Sequence, residues 1–178
     1  MTALSWAWLS TPVGQVSVGC SEDGVAQVRY GPAGPEVTGG QAAADLAEAA
    51  RHQLLEYFRG QRTTFDVPLD WSGTAGPQRE VLKVLAGTVG YGQTIAYGEL
   101  GSRAGLRADS DLPPARAVGK IMGSNPIPVI VPCHRVLASD GLGGYSGGAG
   151  VEVKRWLLIL EGSLPPTLDW VPAGPPAD

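Results

Sequence analysis

Cysteine and histidine are scarce in this chain, which has 178 residues and two of each: Cys20 and Cys133, His52 and His134. Two distant cysteines make no disulfide framework, and the histidines offer no paired spacing for structural zinc. No metal is expected. Charged residues are also few, 17% against 43% hydrophobic, which excludes charge-rich disorder and a coiled coil. Long apolar runs are missing as well: residues 127–131 and 156–160 fall far short of the roughly 20 residues that span a bilayer. No membrane segment is expected. Residues 1–10 lack a basic start, an apolar stretch of signal length and a small-residue cleavage site, so the expected location is cytoplasmic. There is no internal repeat, no Gly-x-Gly-x-x-Gly fingerprint and no Walker-type phosphate loop.

What is present divides along the chain. Residues 1–72 hold 4 basic and 8 acidic side chains, whereas residues 73–162 hold 9 and 7. The middle segment alone is basic, and weakly, which is compatible with a nucleic-acid partner without demonstrating one. Val16 and Val18, then Val25 and Val28, flank a Ser21-Glu22-Asp23-Gly24 turn signal and predict a β-hairpin. Cys20, ending the first of these strands, reads as a small buried apolar residue. A helix is predicted over 42–59, with Leu46, Ala50, Leu54, Tyr57 and Phe58 at helical spacing and His52 off that stripe on a solvated face. A strand near 64–69 follows, and Ser72, Gly73 and Gly76 suggest a boundary.

Helices are then predicted from Pro77, over 97–104, over 115–123 and over 151–161, with a Pro-rich tail over 163–178. Arg116 and Lys120 stack at i, i+4 on the third of these, opposite Val118, Ile121 and Met122. Two short helices with the second basic on one face fit a helix-turn-helix; a packed helix pair with a solvated basic face fits equally well.

Cys133 follows an apolar run and precedes His134 and Arg135. A thiol reacts as its thiolate, so a nucleophilic cysteine needs a base or a positive charge nearby. In an extended segment successive side chains point to opposite faces, so His134 would need a bridging water to reach the sulfur. It would also need a third group to fix its tautomer, and Glu161 at the end of the last helix is best placed for that. On these residues alone, a reactive and a structural Cys133 are equally supported.

The stretch Asn125-Pro-Ile-Pro-Val-Ile-Val-Pro-Cys-His-Arg-Val136 closely resembles the active-site signature of O6-alkylguanine-DNA alkyltransferases. The resemblance continues in family order through Gly73-Thr74, Tyr91-Gly92-Gln93-Thr94, Tyr97-Gly98-Glu99-Leu100, Ala115-Arg116-Ala117-Val118-Gly119, Gly143-Gly144-Tyr145-Ser146-Gly147-Gly148 and Leu160-Glu161-Gly162. It covers about half the chain; residues 1–72 match only faintly.

The resemblance implies an α+β protein: a small RNase-H-like α/β N-terminal domain over 1–72, and a mainly helical, winged-helix-like C-terminal domain over 73–162 with a helix-turn-helix. It implies direct repair of DNA, in which the O6-alkyl group of a flipped guanine moves irreversibly onto Cys133, one transfer per molecule and with no dissociable cofactor. His134, Glu161 and Tyr97 would serve the chemistry. Met122, Pro128, Val136, Tyr145, Ser146 and Lys154 would surround the base, and Asn125 would brace the turn as a hinge. Arg116, with Ala117, Gly119 and Lys120, would meet the duplex, Arg116 filling the gap left by the base. The implied partner is double-stranded DNA carrying O6-alkylguanine, with O4-alkylthymine a second candidate lesion; a monomer is expected.

Residues 106–113 form a longer and more acidic connection than is usual in that family, with Asp109 and Asp111 at its centre, which would repel phosphates if they faced the groove. Two other classes compete with alkyl transfer. A non-catalytic lesion-sensing protein would ordinarily have lost the acceptor cysteine, and a cysteine hydrolase would need an oxyanion site that is not identifiable here.

Overall fold

The computed structural model describes residues 2–34, 39–107, 112–148 and 150–166. The chain forms two compact units that meet between Gly73 and Thr74. Of the expected tail, residues from 167 on lie outside the described residues, as do Asp109 and Asp111 of the acidic connection.

The first unit is a three-stranded antiparallel sheet, β1 (Ser5–Thr11), β2 (Gly14–Ser21) and β3 (Gly24–Tyr30), in the order β1-β2-β3. Helix α1 (Gln41–Phe58) packs on one face. Alternation decides which side chains face the helix: Leu9, Val16, Val18, Cys20 and Val28 are buried, each of the larger ones contributing about 1.5–3 kcal/mol. The helix answers with Ala43, Ala47, Ala50, Leu54, Tyr57 and Phe58, small at its start and large at its end. Strand β1 extends the predicted hairpin to three strands. The strand expected near 64–69 is not formed; only Leu69 bridges Val25, in parallel. Val25 donates to the Pro68 carbonyl and Asp70 donates to that of Val25, but Pro68 has no N–H with which to continue a ladder.

The second unit contains α2 (Gly76–Thr88), β4 (Ile95–Ala96), α3 (Tyr97–Arg103), α4 (Pro114–Gly123), a 3-10 turn (Cys133–Arg135), β5 (Val136–Leu137) and α5 (Val151–Leu160). Pro114 opens α4, where its fixed φ suits a first turn and its missing N–H costs nothing. Helices α3 and α4 pack closely: a Cβ on Gly101 would lie 3.3 Å from both Pro114 Cβ and Val118 Cγ2, so glycine permits this approach. The two-residue strands β4 and β5 pair in parallel, Ile95 with Val136 and Ala96 with Leu137. That pairing places Tyr97, the first residue of α3, beside the segment that follows Cys133.

The approach to Cys133 differs from its sequence reading in two ways. Ile127 and Val129 to Val131 are buried and Pro128 half-buried, but the segment forms turns, with an isolated bridge between Pro128 and Val131 and a Val131 N–H donating to Ile127 O at 2.9 Å. Val129 closes this turn at φ 73°, the left-handed region that a β-branched residue rarely enters. Asn125 holds it there, its Nδ2 donating to Val131 O at 2.9 Å and its Oδ1 accepting from Ile127 N at 3.0 Å. Cys133 and His134 then lie in a 3-10 turn rather than an extended segment, so strict alternation does not govern where their side chains point.

Candidate active site

A cavity of about 750 Å³ opens within the second unit, and Cys133 lines it. One wall is a single face of α4, contributed by Ala115, Arg116, Gly119, Met122 and Gly123 at helical spacing. Alanine and glycine keep that face open. Tyr97 stands on another side, and the loop with Gly144, Tyr145 and Ser146 on a third. Ser146 Oγ donates to Gly123 O at 3.3 Å, joining that loop to the end of α4. A Cβ on Gly143, at φ +73°, would come within 2.9 Å of the Tyr97 ring, so the loop passes the tyrosine only as glycine.

Cys133 is 5% exposed, and the Asn125 and Tyr145 side chains act on its thiol. Burial pushes its thiol up, opposed by the Asn125 contact and by the charge of Lys154. Burial also raises Tyr97, with the nearby Cys133 adding to the effect. Lys154 is fully buried on α5: Nζ donates to Val136 O at 2.6 Å and Gly144 O at 3.2 Å, and lies 5.6 Å from the Tyr97 ring centroid. Burial lowers its ammonium to about 8.

Behind the thiol, His134 and Glu161 are both buried, with His134 Nε2 2.8 Å from Glu161 Oε1. Burial would raise the Glu161 carboxyl, but hydrogen bonds from His134 and Arg135 outweigh it and hold it at about 2. Burial lowers His134 against the pull of Glu161. The carboxylate therefore accepts, Nε2 carries the proton, and Nδ1 is left as a lone pair that finds no protein partner. The arrangement can supply a thiol with a neutral, oriented base.

These shifts predict acid sensitivity. His134 takes up its proton at lower pH in the folded state than in the unfolded chain, so its contribution is complete above the ordinary value of 6.5 and declines as pH falls through it. Glu161 adds a second loss as pH falls from 4.5 toward about 2. Denaturant midpoints should hold above about pH 7, drop as pH falls below about 6.5 and drop again below about 4.5; a midpoint flat from about pH 7 down to about pH 3 contradicts the assignment.

The structure thus gathers Cys133, Tyr97, Met122, Tyr145, Ser146, Arg116 and Gly119 around one cavity, with His134, Glu161, Lys154 and Asn125 supporting it. Pro128, Val136, Ala117 and Lys120 do not line it. Val136 is buried in β5 with its carbonyl engaged by Lys154, and Lys120 is exposed on α4. Ser139, Leu137 and Ala138 line the cavity without having been singled out; a strand end followed by small residues gives no signal of such a position. Among the described residues no three His, Cys, Asp or Glu gather as a metal site would require, and no helix is long and apolar enough to cross a membrane.

Residues 76–163 match the DNA binding domain of 6-O-methylguanine DNA methyltransferase, and residues 4–71 match its ribonuclease-like domain. The methylated-DNA--protein-cysteine methyltransferase of Mus musculus is 33% identical, with the alignment covering 98% of this chain and 85% of the mouse protein. The chain belongs to the 6-O-methylguanine DNA methyltransferase family. A DNA base-flipping protein of Thermus thermophilus is 39% identical over 88% of this chain and 99% of its own length. The crystal structure of Mycobacterium tuberculosis OGT in complex with DNA superposes with a TM-score of 0.73 at 37% identity, covering 89% of this chain and 93% of that one. The two-domain α+β fold of the family is therefore the fold of this chain, with a sheet domain followed by a helical DNA-binding domain.

Proposed function

We propose that this protein repairs alkylated DNA by moving the O6-alkyl group of a flipped guanine onto Cys133, once per molecule. The observation that carries this reading is a cysteine lining a cavity of about 750 Å³, roomy enough to admit a nucleotide base, with a buried His134–Glu161 pair in the same turn and helix end. The proton of the thiol passes to His134 through solvent. The sulfur attacks the alkyl carbon, the carbon–O6 bond breaks, its electron pair stays with the guanine, and the purine takes up a proton with Tyr97 as hydrogen-bond donor. The product thioether has no hydrolytic exit.

In this reading Met122 and Tyr145 enclose the base, with Pro128 outside them. The main chain at Ser146 donates to O6, and Val136 O, which has a second lone pair, accepts from the exocyclic amine alongside Lys154. Asn125 fixes the turn that presents the thiol. Helix α4 approaches duplex DNA with Arg116, Ala117, Gly119 and Lys120, and Arg116 occupies the space the base leaves. O4-alkylthymine is a second candidate lesion, the acting form is a monomer, and the protein works with DNA in the cytoplasm.

The test is intact mass and peptide mapping after incubation with a duplex containing O6-methylguanine. One methyl on Cys133 with guanine restored supports the reading. Binding without a mass change supports instead a lesion-sensing role, which the full-length match to a base-flipping protein keeps in view. Arg116→Ala should slow transfer from duplex on the order of tenfold or more while leaving reaction with free O6-benzylguanine nearly intact, because only the duplex must give up a stacked base at a cost of a few kcal/mol. Equal losses on both substrates would remove Arg116 from the extrusion step.

A further inference from the structure

We infer that Arg135 is a positioning residue for the transfer, locking Glu161 and, through it, the tautomer and orientation of His134. This rests on the alkyl-transfer reading above. Arg135 sits in the same 3-10 turn as Cys133 and His134, and its guanidinium is almost entirely buried.

Its Nε donates to Glu161 Oε2 at 2.9 Å, its Nη2 to Glu161 Oε1 at 2.9 Å, and its Nη1 to Val89 O at 2.7 Å. The guanidinium lies 6.0 Å from the centroid of the Tyr91 ring, whose hydroxyl donates to Leu160 O at 3.1 Å. One side chain thus ties the end of α2, the end of α5 and the reactive turn together.

Two consequences follow from the fork. The paired N–H groups fix the plane of the carboxylate, and Oε1, shared with His134 Nε2, can only accept. The imidazole proton is thereby held on Nε2 and the lone pair on Nδ1. The guanidinium also balances the Glu161 charge. A lone carboxylate at 2.8 Å would draw a second proton onto His134 and abolish it as a base. The other charged or titratable groups acting on this network are Lys154 and Tyr91, and Lys154 opposes protonation of His134 in the same sense as Arg135. Lysine at 135 would supply the charge but not the three-pronged planar fork.

The experiment follows single-turnover transfer and the His134 imidazole resonances against pH. In the wild type, His134 should hold its proton on Nε2 and titrate below the ordinary histidine value of 6.5. In Arg135→Gln the acid limb of the rate profile and the imidazole titration should move together to higher pH. Arg135→Lys should return both most of the way. A uniform loss of rate at every pH with the limb unmoved makes Arg135 a structural clasp only and overturns the proposal. So does a wild-type His134 protonated on Nδ1, or titrating at or above the ordinary value of 6.5, a result available even if neither variant folds. Absence of transfer by the wild type at every pH would instead remove the alkyl-transfer reading, while the imidazole measurements still decide what Arg135 does to His134.

Discussion

Serine in place of Cys133 is expected to end alkyl transfer while duplex binding survives within a few-fold. The hydroxyl keeps the shape and the hydrogen bonds from Asn125 and Tyr145, so the cavity should close around a base as before. It fails as a nucleophile because an alcohol ionises far less readily than a thiol, and a neutral imidazole has too little driving force to deprotonate it without a developing charge to stabilise. Peptide mapping supplies the control. Cys20 is fully buried in the sheet and burial pushes its thiol up to about 12, so it offers neither access nor thiolate. Methyl transfer persisting in Cys133→Ser, or a methyl found on Cys20 in the wild type, would refute the assignment of the acceptor.

How far the sequence could be read depended on whether local pattern or distant pairing decides each element. Helices α1, α2 and α4 follow from apolar spacing and terminal Pro or Gly, signals that lie within the segment. Strand β1 was hidden because Trp6 and Trp8 occupy the face away from the helix, Trp8 at 60% exposure, so the alternation there is between apolar residues and not between apolar and polar. The segment 64–69 has the period of a strand, with Phe65, Val67 and Leu69, but a strand is a pairing property and Pro68 limits it to one bridge. Residues 127–131 show why a short apolar run is ambiguous: burial is certain, yet the conformation is set by Asn125 and by the left-handed Val129, neither of which periodicity reports. The reactive cluster was legible through the resemblance, including the His134–Glu161 pair across 27 residues. Arg135 was visible only as a neighbour of the cysteine, because its contacts to Val89 and Glu161 depend on how α2 and α5 end in space.

The same geometry sets the cost of disturbing Glu161. Glu161→Gln preserves shape but leaves the buried Arg135 cation without its counter-charge and puts an amide where three donors converge on two oxygens. A carboxamide has one acceptor oxygen, so at least one donor pair must face another donor. Breaking a buried ion pair from one side typically costs about 3–5 kcal/mol, which in a chain of this length corresponds to a fall in Tm on the order of 10 °C. The loss should concentrate in the unit spanning 74–166, since the first unit has its own sheet and helix core. Transfer should slow as well, because the amide can present its N–H to His134 and drive the imidazole to the opposite tautomer. Thermal unfolding followed with single-turnover rates separates the two effects at a temperature where the variant is fully folded. A variant that melts with the wild type would show that the ion pair adds nothing net to stability, and one that transfers at the wild-type rate would show that His134 needs no carboxylate to act.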